Sequence, residues 1–358
     1  MFLKCKPTVF VIDDEYEILA YANANGILSV VIDGVRYYEE NSGALYSEKR
    51  YAKIRVPQSV LNEAKAYTVC YRETVARQPY YSQFKAEETQ TFAFRPLEKT
   101  DNIHIYHIAD VHYLFEDALK VGSYFGDELD FLIVNGDIGE VQTEQNYLDV
   151  ISFVGELSRG EIPTLFVRGN HDTRGNLAER FTDYFPANGK NTYFTFQLGA
   201  LCGVTFDCGE DKPDEQIEYG GSNAFEPFRR RQTAWLKKVN LPKDKIPFAV
   251  GHIIPVQTTF EAGCIFDIER EIYTQWNAEF ERLGIKFMLC GHMHHAYLLT
   301  PSDERNLIAH NYPVVVGSKL IEGDLWGTAI TIENGVATVL FTDKNHEIKD
   351  KYEIPLNN

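Results

Sequence analysis

The feature that most constrains this chain is a pattern that occurs five times: an apolar, strand-like run that switches without a spacer to Asp, Asn or His. The runs are IHIYHIADVH (103–112), FLIVNGD (131–137), FVRGNHDT (166–173), FAVGH (248–252) and FMLCGHMHH (287–295). A short continuous apolar run reads as a buried strand, so each is a strand that delivers polar groups at its end. Gly136, Gly169, Gly251 and Gly291 stand just before the polar residues, where the missing side chain lets backbone crowd a ligand. Five strand ends of one design imply one shared cleft.

Ten histidines are present, and five of them, His112, His171, His252, His292 and His294, fall at these ends. Scattered core histidines would not do that. Asp110 and His112 lie two residues apart, as do His292 and His294; extended backbone would put both members of each pair on one side. Imidazoles and carboxylates so spaced suit a divalent metal of borderline or hard character rather than a zinc finger or an iron–sulfur cluster. With Asp137, Asn170 and His252 added, one ion has too few positions for the donors. Two ions bridged by a carboxylate would use them all and create the clamp that in-line phosphoryl displacement needs.

Composition limits the partners. The 52 acidic against 35 basic residues leave a formal charge of −17, which disfavours polymeric nucleic acid. A small phosphorylated ligand stays compatible when metal ions supply the positive charge. The first apolar run is broken at once by Asp13, Asp14 and Glu15, and no stretch approaches the roughly 20 apolar residues of a membrane span. The expectation is a soluble, cytoplasmic protein with no membrane partner. The six cysteines form no C-x-x-C pair and are expected to be reduced core thiols.

A chain of 358 residues suggests two domains. From Thr8 to about Leu97 there are seven short β-like runs, with Asp33-Gly34 as a hairpin signal, which favours an all-β sandwich of immunoglobulin or fibronectin type over 1–98. Pro96–Asn102 reads as a linker. From 99 to 358 strands alternate with helices expected near 116–125, 144–157, 177–185, 228–239 and 273–283, an α/β (α+β) pattern. The polar, Gly-rich segment between Phe206 and Phe228 is either a lid or an ordered surface loop. Arg229, Arg230 and Arg231 read as a solvated helix face, with an anion site as the alternative, and Asn334-Gly335 as a second hairpin turn.

The ordered series D-x-H (Asp110–His112), G-D (Gly136–Asp137), G-N-H-D (Gly169–Asp172), G-H (Gly251–His252) and G-H-x-H (Gly291–His294) resembles the calcineurin-like metallophosphoesterase superfamily, over about Ile103 to Phe341. The resemblance implies a four-layer α/β/β/α sandwich with its site at the carboxyl ends of the strands. It implies that Asp110, His112 and His294 hold one metal, that Asn170, His252 and His292 hold the other, that Asp137 bridges them, and that His171 stays off the metals. It further implies phosphoester hydrolysis by a metal-bridging hydroxide, with His171 protonating the leaving oxygen. Manganese, iron, zinc and nickel all suit the donors.

The N-terminal part resembles, in order and type, the domain preceding the catalytic domain of purple acid phosphatases. Those enzymes place a metal-binding tyrosine three residues after the bridging aspartate and read G-N-H-E; this chain has Glu140 and G-N-H-D. No tyrosinate colour is expected. The family's serine/threonine phosphatases carry a carboxylate at that offset, and by that analogy Glu140 orients His171; a solvated loop carboxylate or an extra ligand is the alternative. Their following arginine is missing, which argues against a phosphoprotein substrate. Asp172 is a candidate supporting residue, and Arg174 a candidate phosphate contact or else a cap or surface residue. The expected activity is a phosphatase on a small substrate, with phosphodiesterase as the alternative. A non-enzymatic scaffold with a retained metal site is disfavoured because every ligand position is filled.

Overall fold

The computed structural model describes residues 1–39, 41–321 and 324–356. At its centre, strands Ile103–Ile108, Phe131–Asn135 and Pro163–Val167 run parallel. They are buried at every position but His104, because both faces are covered. Ile105, Ile133 and Leu165 turn inward to meet Phe196, Phe248 and Leu289 of a second sheet. The intervening Leu132 and Val134 face outward, under helices Phe115–Gly122 and Glu144–Ser158. The second sheet has six strands, of which Leu201–Thr205, Ile246–Val250, Met288–Cys290 and Val314–Val316 are parallel. Its outer face is closed by helices Phe225–Leu236 and Arg270–Arg282 around the fully buried Trp276. The result is the four-layer α/β/β/α sandwich that the motif series implies.

Helix 144–158 shows how local chemistry places an element. The Thr143 hydroxyl accepts from the Asn146 amide N–H, while the Asn146 side chain accepts from the Thr143 N–H, a reciprocal cap. Arg159 ends the helix in the left-handed region. The helix expected over 177–185 is instead a 3-10 turn, Ala178–Arg180, followed by the single turn Phe181–Tyr184. Both hairpin signals hold: Asp33 and Gly34 have φ 47° and 79°, and Asn334 and Gly335 have 52° and 74°, the paired positive values of a type I′ turn. Strand Ile348–Pro355 was not anticipated; its run IKDKYEIP is mostly exposed and carries the charges that blunt a sheet edge.

The N-terminal region is β-rich, as expected, but its strands divide between two sheets. Thr8–Ile12 pairs in parallel with Pro163–Val167, and Glu15–Tyr21 and Tyr51–Pro57 continue outward from it. The central sheet thereby reaches ten strands. The remaining N-terminal strands form a five-stranded antiparallel sheet around Gly26–Ile32 and Ala66–Arg77. Division of the chain at 98/99 therefore does not fall between sheets. The cause is the run TVFVI, buried at every position: Phe10 packs under the outer helices while Val9 and Val11 join the inner core, so it needs cover on both faces. Among the described residues all six cysteines are free, and no helix is long and apolar enough to cross a membrane.

Candidate metal centre

The carboxyl ends of the parallel strands in both sheets face one cleft, and the chain leaves each strand abruptly there. Asp110, His112, Asp137, His292 and His294 have φ between 42° and 71°, a left-handed conformation that costs about 1–2 kcal/mol per residue. The pairs Asp110/His112 and His292/His294 are thus brought together by tight turns beyond the strand ends, not by extended period-two geometry. Such strain concentrates at functional sites. The glycines serve close approach: a Cβ on Gly136 would lie 2.7 Å from His252 Nδ1, and one on Gly291 2.8 Å from Asp110 Oδ2.

Asp110 and Asp137 are 0% and 1% exposed, and among the described residues neither is ion-paired to lysine or arginine. Histidines surround them instead. His252 Nε2 lies 3.1 Å from Asp137 Oδ2 and 3.6 Å from Asp110 Oδ1. His294 Nε2 is 3.5 Å from Asp110 Oδ1, His112 Nε2 is 3.9 Å from Asp137 Oδ2, and the two imidazole nitrogens are 3.3 Å apart. Asn170 Oδ1 sits 3.0 Å from His292 Nδ1. Donor atoms of Asp110, His112 and His294 lie within 4.8 Å of one another, as do those of Asp137, His252 and His292, and those of His112, Asp137 and His171. Asp137 and His112 each belong to two of these groups, which makes the three groups contiguous.

The donors fit divalent ions. The buried His252 Nε2 has no hydrogen-bond partner, although it points at two carboxylates. Its other nitrogen, Nδ1, is 2.7 Å from the Asn135 carbonyl oxygen, the backing a ligating histidine needs. Burial holds His112 and His292 below the usual histidine value, in the neutral form that ligates. Burial would also lower His252, but Asp137 and Asp110 override it and raise it to about 10. For Asp137, burial works upward, yet His252, His171 and His112 hold its carboxyl well below the usual range. Charge on the surrounding imidazoles thus offsets the buried carboxylates.

The supporting residues fall into place around this core. Asp172 is 3% exposed and accepts from the Gly169 and Asp137 amides at 2.8 and 3.2 Å, fixing both turns; burial, then the Asp137 charge, pushes it to about 7. His171 donates its backbone N–H to Asp137 Oδ1 at 2.8 Å, and its Nε2 lies 3.9 Å from Asp137 Oδ2. Its Nδ1 is 3.5 Å from Glu140 Oε1, on a half-exposed side chain. Arg174 makes a two-pronged pair with Glu210, both contacts at 2.7 Å, and its Nη1 lies 3.4 Å from His171 Nε2.

Several contributors were not anticipated. Asn135 and His107, both 0% exposed, bond to each other at 3.0 Å behind the cleft, and Asn135 Nδ2 also donates to the Gly251 carbonyl of the second sheet. The only signal was the place of Asn135 directly before Gly136-Asp137. Residues 206–224 form a connection with one 3-10 turn, Ile217–Tyr219, and within it Glu210 is 0% exposed. The expected solvated face at 229–231 is corrected at its first residue. Arg229 is 1% exposed and donates to the carbonyls of Cys208 and Glu210 and to the Glu269 carboxylate, because the loop carbonyls fold back onto the start of its helix.

With this geometry in view, a family model described as calcineurin-like phosphoesterase matches residues 103–296. Among solved structures, the purple acid phosphatase PPD1 from yellow lupin (Lupinus luteus) seeds aligns with TM-score 0.63 at 11% identity, over 98% of this chain and 74% of that one. The structure of PhoD aligns with TM-score 0.59 at 10% identity, over 98% and 88%. No curated protein matches the chain. At these identities the structural likeness is one of fold.

Proposed function

Because the chain belongs to the calcineurin-like phosphoesterase family and is a metal-dependent phosphoester hydrolase, we propose that it is a two-metal phosphatase acting on a small phosphorylated substrate. The observation that carries the proposal is the burial of two carboxylates, Asp110 and Asp137, among imidazoles with no lysine or arginine paired to either among the described residues. Asp110, His112 and His294 would hold one ion; Asn170, His252 and His292 would hold the other; Asp137 would be shared. Bound ions, of manganese, iron, zinc or nickel, supply Lewis-acid charge to the phosphoryl oxygens and an activated water.

The remaining chemistry belongs to the chain's own groups. His171 stands beside the donors and delivers a proton to the leaving oxygen, with Glu140 orienting its ring from the Nδ1 side. Arg174 turns its Nη1 toward the same place and meets the substrate's phosphoryl oxygens. The acidic surface keeps polyanions away.

The test begins with chelator-stripped protein reloaded with each metal, counted by elemental analysis and assayed on paired aryl phosphate monoesters and diesters. Two ions per chain, restored turnover favouring the monoester and no tyrosinate absorption are expected, with Asp137→Ala losing at least one ion. A single ion in the loaded wild type, or two ions with neither ester cleaved, would sink the proposal.

A further inference from the structure

We infer that Glu210 and Asp211, neighbours on the 206–224 loop, are a pair of positioning residues: Asp211 orients the metal-side imidazole of His292, and Glu210 aims Arg174 at the phosphoryl site. The inference rests on the metal-dependent reading above and assigns a job to a loop that its sequence left undecided.

The two nitrogens of His292 are divided between two surroundings. Nδ1 lies 3.0 Å from Asn170 Oδ1 and so faces the donors. Nε2 faces the other way, 4.0 Å from Asp211 Oδ2. A ligating histidine commonly gives its second N–H to a carboxylate, which fixes the tautomer and makes the ring a better donor. The contact is at the outer edge of ion-pair range. Asp211 is itself held by its other oxygen, Oδ1, which is 3.5 Å from Arg174 Nη2 and 3.4 Å from the Tyr219 hydroxyl. Oδ2 is thereby left for His292.

Glu210 is a fully buried carboxylate with four donors: Arg174 Nε and Nη2 at 2.7 Å each, Thr173 Oγ1 at 3.0 Å and the Tyr219 hydroxyl at 3.1 Å. A two-pronged contact fixes the guanidinium plane. With Nε and Nη2 committed, Nη1 remains, and it is the nitrogen 3.4 Å from His171 Nε2. The Glu210 carbonyl accepts from buried Arg229 at 2.6 Å, which anchors the loop to the helix behind it. One short stretch of backbone thus sets the attitude of a metal ligand and of a substrate-facing cation.

The two halves have separate readouts in the full-length protein. Asp211→Asn should weaken binding of one ion by about 10–100-fold in chelator competition without substrate, leaving the other ion unchanged. Unaltered affinity overturns that half, and so does outright loss of one ion at saturation, which would make Asp211 a ligand itself. Glu210→Gln should lower kcat/KM with metal affinity unchanged, and Glu210→Gln with Arg174→Ala should be no slower than Arg174→Ala alone. Additive losses overturn the claim that Glu210 acts through Arg174. Tyr219→Phe, a milder change touching both carboxylates, should shift both readouts together; no shift in either counts against the pair. Wild-type protein that binds no metal would defeat the hydrolase reading, whereas metal binding with indifferent variants would defeat only this inference.

Discussion

Gly169→Ala puts the site geometry to a sharp test, because the glycine is needed for space and not for backbone freedom. Its φ lies outside the left-handed region, but an added Cβ would come 2.2 Å from Asp137 Oδ1 and 2.5 Å from the Asp137 amide nitrogen, whereas ordinary contact starts at 3.4 Å. The Asp137 carboxylate must therefore retreat by about 1 Å, and a misplacement of that size costs on the order of 10²-fold in rate, about 2.7 kcal/mol of transition-state stabilisation. His171 moves with it, since its backbone N–H is bonded to the same oxygen. Steady-state kinetics on an aryl phosphate monoester, with metal content by elemental analysis, should show the loss in kcat/KM and weakened loading. Gly189→Ala is the control: φ is 65° and nothing lies within 4 Å of the added Cβ. It should cost about 1–2 kcal/mol of stability and leave kcat/KM alone. Wild-type kcat/KM and full metal occupancy in Gly169→Ala would refute the reasoning.

Three further outcomes are expected. His171→Ala should reduce turnover by about 10²–10⁴-fold with metal content intact; a lost ion would instead make His171 a ligand. Arg229→Ala strips the donor from two loop carbonyls and the Glu269 carboxylate and should cost about 3–5 kcal/mol in denaturant unfolding, while the exposed Arg230→Ala should leave the unfolding midpoint nearly unchanged. Burial holds His107 to about 3, against 6.5 for a free histidine. Between those values the unfolded chain binds a proton that the native one refuses, so this residue's contribution to stability falls as pH drops, by about 1.4 kcal/mol per pH unit. His107→Gln should flatten the acid limb of a stability-versus-pH curve by that slope, and parallel curves for variant and wild type would contradict the assignment.

The candidate donors could be picked out from the chain because each rides on a short apolar strand whose ending is a local event, and because strand-end Asp, Asn and His have few other reasons to recur five times. The four layers followed from the motif order, and hairpins at Asp33-Gly34 and Asn334-Gly335 followed from residues that tolerate positive φ. Other features had no local signature. Nothing in TVFVI reveals that its hydrogen bonds go to Pro163–Val167, some 150 residues later. Arg229 looks like its neighbours Arg230 and Arg231 until the loop before it folds back. Glu210 and Asp211 sit in a polar run that gives no reason to choose them over Glu215 or Glu218.

By itself, then, the amino-acid order determined which chemical groups are present and that strand ends deliver them, since apolar periodicity and turn chemistry act over a few residues. Only the tertiary structure decided which groups meet, how the carboxylates are neutralised and which loop residues stand behind the histidines. Those outcomes depend on distance and burial between segments remote in sequence, where Coulomb energy and desolvation are set by the packed fold.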